Sequence, residues 1–266
     1  MCGIAGFSGQ WSTAEARTRI TAMTDRIAHR GPDAGGCWME PGITLGHRRL
    51  SIIDLSEAAN QPLIDHSGRY VLIFNGEIYN YRELRKELGR RVSDSVGDTD
   101  VVLAAYMSWG PACVERFNGM FALAIWDKED KSLFVARDRL GIKPFYYTRQ
   151  GGEFQFASEL RSLLAGGWCA KKLDDAGLVD YLAYGTVQGP RTMLAEVQSL
   201  PPGAWGMWQY GELKTETYWA LPTAIRDGDT DPATVRNRVA DLLGQAVARR
   251  MVSDVPLGAF LSGGID

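Results

Sequence analysis

The residues that could do chemistry in this chain are Cys2, Arg49, the pair Asn75-Gly76, and Asp98. Trimming of Met1, which a residue as small as Cys2 permits, would leave a thiol and a free α-amine on one residue. The amine titrates at roughly 7.7–8.0 and the thiol at about 8.5, so a nucleophile and its base would sit together near neutral pH. Otherwise Cys2 is a small apolar residue opening a strand. The guanidinium of Arg49 could clamp a carboxylate through two parallel hydrogen bonds, or form a surface salt bridge. Asn75-Gly76 follows the apolar run Val71-Leu72-Ile73-Phe74. Its amide and backbone N–H could serve as paired oxyanion donors, but Asn-Gly is also a strong hairpin-turn signal. Asp98 stands before a helical stretch, where it could receive an ammonium or cap the helix. The loop Arg30-Gly31-Pro32-Asp33 could support such a site or only turn the chain.

These residues need elements to position them. Most of the chain to about residue 220 reads as short strands with a few helices. Cys2–Ser8 is a short apolar strand. Residues 14–28 have helical periodicity, with Ile20, Met23, Thr24 and Ile27 on one face. Strands are expected at 36–40, 43–52 and 69–75. Asn80 and Glu83 have capping-box spacing before a helix that Gly89 ends. A helix is expected over Thr99–Trp109, stopped by Gly110-Pro111. Strands follow at Gly119–Trp126, Ser132–Arg137, Pro144–Thr148 and Phe154–Ala157, with polar turns suited to hairpins. Helices are expected at Glu159–Leu164 and 174–184, and further strands at 193–219. The polar segment 221–232 reads as a linker. Residues 233–252 form an amphipathic helix with Val235, Val239, Leu242, Leu243 and Val247 inward. Val255–Leu261 is expected as a strand running into Ser262-Gly263-Gly264-Ile265-Asp266, so the chain reads as ending at the entry to a second domain.

Composition narrows the possibilities. The 266 residues are 45% apolar and 23% charged, ordinary values for a globular protein. A net charge of -3 makes no electrostatic case for nucleic acid or an anionic membrane. The four cysteines and three histidines lack both CxxC and metal-ligand spacing, so neither a disulfide framework nor a metal site is expected. No apolar run approaches the ~20 residues of a membrane span. A reactive thiol fits the reducing cytoplasm, which is the expected location.

Many ordered segments agree with one family. MCGIAGF at the start, HRGPD (29–33), RLSIID (49–54), NGEIYN (75–80), GMFALAIWD (119–127), RDRLGIKPFYY (137–147), FASE (156–159) and LPPG (200–203) come in sequence. Together they resemble the class II glutamine amidotransferases, which are N-terminal nucleophile hydrolases, and most of all the asparagine synthetase group. The terminal LSGGID (261–266) resembles the start of that group's nucleotide loop. The resemblance spans essentially the whole chain.

The resemblance implies an α+β fold, a four-layer αββα sandwich of two antiparallel sheets over residues 2–220. A linker (221–232) and the first helix and strand of an α/β ATP-pyrophosphatase-like domain (233–266) would follow. It implies that Cys2 attacks the side-chain amide of L-glutamine, forming a glutamyl thioester and releasing ammonia, while Asn75 and Gly76 hold the oxyanion. Arg49 would pair with the α-carboxylate, and Asp98 with the Glu77 region would receive the α-ammonium. Leu50, Ile52 and Ile53 would line the pocket. Leu261, Ser262, Gly263, Gly264 and Asp266 would open an ATP site. No cofactor is implied for glutamine hydrolysis, but ATP and Mg2+ are implied for amidation of aspartate, or another carboxylate, by a C-terminal domain. A homodimer is a family expectation. The rival readings are a different acceptor, a silent glutamine-binding scaffold, and a self-processing protease. Arg48 has no role that the resemblance assigns.

Overall fold

The computed structural model describes residues 1–92, 97–223 and 231–259. In chain order the elements are β1 Gly3–Gly9, α1 Thr13–Asp25, β2 Ala34–Glu40, β3 Gly42–Arg49, β4 Leu63–Ile64 and β5 Tyr70–Ile78. Then come α2 Tyr81–Leu88, α3 Thr99–Trp109, α4 Cys113–Arg116, β6 Gly119–Asp127, β7 Ser132–Arg137, β8 Tyr146–Gln150 and β9 Glu153–Ala157. The last are α5 Leu160–Gly166, α6 Asp175–Tyr184, β10 Gln198–Ser199, β11 Ala204–Gln209, β12 Glu212–Thr217 and α7 Pro232–Arg250.

Two six-stranded sheets form, ordered β10-β8-β9-β1-β3-β2 and β12-β11-β7-β6-β5-β4. Within them the paired strands run antiparallel. Side-chain alternation along each strand builds the layers. In β1, Ile4 faces the partner sheet, while Ala5 and Phe7 face α1 and α5. In β5, Val71 and Ile73 point between the sheets, while Leu72 and Phe74 pack under α2 and α3. The result is one core between the sheets and one beneath each helical layer, the four-layer sandwich that the family resemblance implies. Among the described residues, no helix is long and apolar enough to cross a membrane.

Several local expectations change. The strand expected over 43–52 ends at Arg49, because the chain turns away beside Cys2 to form the loop that follows. Asn75-Gly76 lies inside β5, paired with Ala122 and Phe121 of β6, and is therefore not a hairpin turn. The ladder to β6 decides this over local turn preference. Asn80 makes no cap bond. Its amide instead bridges Arg116 O (3.0 Å) and Asn118 N (2.9 Å), which ties α2 to the start of β6. The strand expected from Pro144 starts at Tyr146.

The helix expected at 233–252 is present as α7, but its apolar stripe does not point inward. Val235, Val239, Leu242, Leu243 and Val247 are 38–61% exposed. No described element packs over them. Residues 255–259 form no strand, since a strand needs a neighbour to pair with. Leu261, Ser262, Gly263, Gly264 and Asp266 lie outside the described residues.

One buried carboxylate shapes the sandwich end where the site forms. Asp138 is 1% exposed and accepts four backbone N–H groups, from Phe121 (3.1 Å), Leu140 (3.1 Å), Ile142 (2.9 Å) and Lys143 (2.9 Å). It folds the 138–143 loop back onto β6. Removing its oxygens orphans those donors, and each buried one costs about 1–3 kcal/mol. Asp138→Ala should therefore destabilise the fold by about 3 kcal/mol or more in urea unfolding, and Asp138→Asn by less.

Candidate active site

The site gathers where β1 begins, β3 ends and β5 crosses beneath them. β1 pairs with β3 so that Gly3 opposes Arg48, which sets Cys2 beside Arg49 and Leu50. Ile4 is clasped from the other side, its N–H donating to Ser158 Oγ (3.0 Å) and its carbonyl accepting Ser158 N–H (2.9 Å). Arg30 Nε donates to the Cys2 carbonyl (2.9 Å), and Arg30 Nη1 pairs with Glu159 (3.1 Å). Asp33 accepts the Ser51 N–H at 2.8 Å. The loop at 30–33 thus supports the site as well as turning the chain. Gly31 is required there, because a Cβ would sit 2.4 Å from the Arg48 carbonyl carbon.

Cys2 Sγ accepts the Leu50 N–H at 3.4 Å and lies 3.7 Å from Leu50 O. Burial pushes the thiol pKa up. The Leu50 N–H, the chain's terminal ammonium and Lys143 oppose that rise. The terminal amine belongs to Met1, so Cys2 carries an amide nitrogen here, and Met1 itself lines the pocket.

Arg49 is buried. Its Nη1 donates to Ser56 O (2.8 Å) and Asn60 Oδ1 (2.9 Å), and its Nη2 donates to Asp54 O. Three of the five guanidinium N–H groups are thereby spent on the loop that follows β3, which leaves two for a ligand. Arg48, one residue back along the strand, points the other way and pairs with Asp25 on α1 (2.5 Å). That contact gives Arg48 an anchoring role.

Asn75 is wholly buried, and among the described residues neither its Nδ2 nor its Oδ1 has a hydrogen-bond partner. An unpaired buried amide is costly, and this one borders the pocket. At Gly76 a Cβ would meet Met120 O at 2.4 Å, so the backbone stays bare on that side. Two bonds hold this stretch of β5. Gln61 Oε1 accepts the Phe74 N–H (2.6 Å), and His47 Nε2 bonds Phe74 O (3.1 Å) across the gap between the sheets. Burial holds His47 neutral, with a pKa of about 4.

Two carboxyls and one ammonium complete the wall. Asp98 stands at the start of α3 but makes no cap bond. Its Oδ2 accepts the Ile78 N–H at 2.9 Å, and burial raises its pKa to about 6. Glu77 is raised to about 7, first by burial and then by Asp98, against the pull of Lys143 and Arg250. Lys143 is 4% exposed, and among the described residues its ammonium has neither a hydrogen bond nor an ion pair. Burial lowers its pKa. Cys2, Arg49, Leu50, Ile52, Ile53, Asn75, Gly76, Glu77, Asp98 and Lys143 line one pocket of about 690 Å³, counting its open mouth.

A family model described as a glutamine amidotransferase domain matches residues 1–219. The chain belongs to that family. A model described as asparagine synthase matches residues 238–266. Among relatives of this amidotransferase chain, asparagine synthetase [glutamine-hydrolyzing] 3 of Bacillus subtilis is 37% identical over 272 residues, covering all of this chain and 44% of the relative. Asparagine synthetase [glutamine-hydrolyzing] 1 of the same organism is 38% identical, with 42% of its length covered. The chain thus spans less than half the length of these two relatives. A solved structure of glutamine phosphoribosylpyrophosphate amidotransferase from B. subtilis superposes with a TM-score of 0.61 at 17% identity, over 82% of this chain and 49% of that one. At that identity the likeness is one of fold.

The structure brings every pocket residue expected from the sequence to one place, and adds Lys143. The sequence offers only a weak signal for it, a lysine set among apolar residues in Gly141-Ile142-Lys143-Pro144-Phe145, because lysine is rarely buried unpaired. The nucleotide residues at 261–266 fall outside the described chain. If Lys143 lowers the Cys2 thiol, removing its charge should raise the thiol pKa further. Lys143→Met should then slow iodoacetamide alkylation of Cys2 at neutral pH by about threefold or more, read by peptide mass spectrometry to separate Cys2 from exposed Cys37.

Proposed function

We propose that this amidotransferase chain hydrolyses L-glutamine to glutamate and ammonia, with Cys2 as nucleophile once Met1 has been removed. The observation that carries the reading is the wholly buried, unpartnered amide of Asn75 in the same pocket as the Cys2 thiol. Such an amide is placed to donate to an oxygen brought into the pocket.

Cys2 Sγ attacks the side-chain amide carbon, and the freed α-amine of Cys2 takes up the thiol proton. Asn75 Nδ2 and the Gly76 backbone hold the oxyanion of the tetrahedral intermediate. The amine passes that proton to the leaving nitrogen, ammonia departs as the thioester forms, and water then opens the glutamyl thioester to give glutamate and the free thiol. At the other end of the substrate, the two remaining N–H groups of Arg49 take the α-carboxylate. Asp98 and Glu77 take the α-ammonium, which relieves the repulsion between them. The reading places the protein in the reducing cytoplasm, where the thiol stays free. We further infer that the ammonia serves an ATP- and Mg2+-dependent amidation of aspartate. Its support is the match of residues 238–266 and the names of the relatives. The nucleotide would be held by residues 261–266 and by regions of the relatives that this chain does not span.

Glutamate release should disappear in Cys2→Ala and in chains that keep Met1, while Asn75→Ala should lower kcat by about 10²–10³-fold. Glutamate release that survives Cys2→Ala would overturn the reading.

The two raised carboxyls also set a pH dependence. Their folded pKa values, about 6 and about 7, lie above the usual carboxyl range. They therefore favour the fold at low pH and weaken it as pH rises through that window. Ammonium binding needs them ionised, so KM for glutamine should rise as pH falls from about 8 to about 5.5. In Asp98→Asn/Glu77→Gln, KM should be high and flat with pH. A kcat limb that persists in that variant belongs to the amine.

A further inference from the structure

The loop between β3 and β4 does most of the work of holding Arg49, and its own support comes from far along the chain. Asp54 O and Ser56 O from this loop, with Asn60, accept three Arg49 N–H groups. Leu50, Ile52 and Ile53 from the same loop line the pocket. At the centre stands Asp54, buried, with φ +56°. That left-handed conformation is uncommon for a residue with a side chain and needs to be held. Asp54 Oδ1 accepts Ser56 N (3.0 Å) and Ser56 Oγ (2.6 Å), which shapes the turn locally.

A more distant hold is Asp254. Its Oδ2 accepts the Asp54 N–H at 2.7 Å, and its own N–H donates to Ile52 O at 2.9 Å. One residue thus grips the loop at two points, two residues apart. The Asp54 peptide units link Asp254 to Arg49: the N–H is bound to Asp254 and the carbonyl to the Arg49 guanidinium. A second tether lies close by. Arg250, the last residue of α7, stacks its guanidinium 4.5 Å from the centroid of the Tyr79 ring, just past the end of β5. Val252 packs against the core beneath α2 and α3. Residues 250–254 therefore touch the loop that lines the pocket and Tyr79, two positions beyond Glu77 of the pocket wall. They also belong to the stretch matched by the asparagine synthase model.

We infer that Asp254 is a positioning residue for glutamine binding: it holds the Ile52–Asp54 loop so that Arg49 presents its free N–H groups to the substrate carboxylate. It follows that a displacement of the asparagine synthase-like segment reaches the glutamine pocket through this carboxylate, as a change in glutamine affinity more than in the chemistry at Cys2. This inference rests on the glutaminase reading above.

The test compares Asp254→Ala, Asp254→Asn and, as a surface control on α7, Asp241→Ala, all processed to a free Cys2. Losing a charge-assisted bond of this kind should raise KM for glutamine about three- to tenfold, with kcat within about twofold. Asp254→Asn keeps an acceptor oxygen and should recover most of the affinity, and Asp241→Ala should match wild type. Labelling of Cys2 by a glutamine-like diazoketone should slow in step with KM in Asp254→Ala. Labelling by iodoacetamide, which has no amino-acid head, should not change. An unmoved KM in Asp254→Ala would overturn the proposal. So would a parallel loss of kcat, KM and iodoacetamide labelling in both Asp254 variants, which marks general loosening. If Asp254→Ala does not fold, Asp254→Ser, whose shorter side chain cannot reach the Asp54 N–H, takes its place: KM should rise and diazoketone labelling should slow against Asp254→Asn and Asp241→Ala, and an unmoved KM overturns the proposal. Wild type without glutaminase activity counts against the function itself, whereas wild-type turnover with an unmoved KM counts against Asp254 alone.

Discussion

Two sheets that pack face to face share no hydrogen-bond ladder, and apolar contact between them sets no register, because hydrophobic attraction has no direction. In this sandwich the bond from buried His47 Nε2 to Phe74 O supplies a direction. It joins the strand that ends in Arg49 to the strand that carries Asn75 and Gly76. Keeping the imidazole neutral avoids the cost of a buried cation, and the donor nitrogen is then fixed by its acceptor. The thiol and the carboxylate clamp come from one sheet and the unpaired amide from the other. Their mutual placement is only as good as this contact and the Gln61 bond to the next atom group of the same residue.

The pocket is electrostatically unfinished. Among the described residues Lys143 makes no ion pair, two carboxyls sit close enough to repel each other, and neither end of the Asn75 amide has a hydrogen-bond partner. Each of these is expensive alone. Together they describe the complement of a zwitterion with a polar amide side chain, and binding such a molecule would settle several costs at once. That is a common arrangement for a site selected for its ligand and not for the stability of its empty form.

Much of this was legible from residue order. The apolar faces of α1 and the hairpin strands followed from periodicity alone, because the repeat marks which face is apolar without needing to show what covers it. The pocket residues came from motif resemblance, since their meeting depends on pairings across more than forty positions. Asn75-Gly76 illustrates where local reasoning fails. Its turn propensity is real, but nine residues of ladder to β6 outweigh it. Asn80 fails for a related reason: a tertiary partner at Asn118 competes for the oxygen that would cap α2. The stripe on α7 has the right period, but among the described residues no surface covers it. Lys143 and Asp138 were hidden because a lysine or aspartate in a loop reads as solvated until the loop is seen folded inward.

Met1 adds a practical consequence. It stands among the residues that line the pocket, at the strand end where β1 enters the sandwich. Anything joined upstream of it starts at the rim of the space that a small ligand would enter. A purification tag, a leftover protease-site residue or a retained formyl group at that end would act as a tethered plug, occupying the mouth at a local concentration no free inhibitor reaches. Handles for isolating this protein therefore belong away from its first residue.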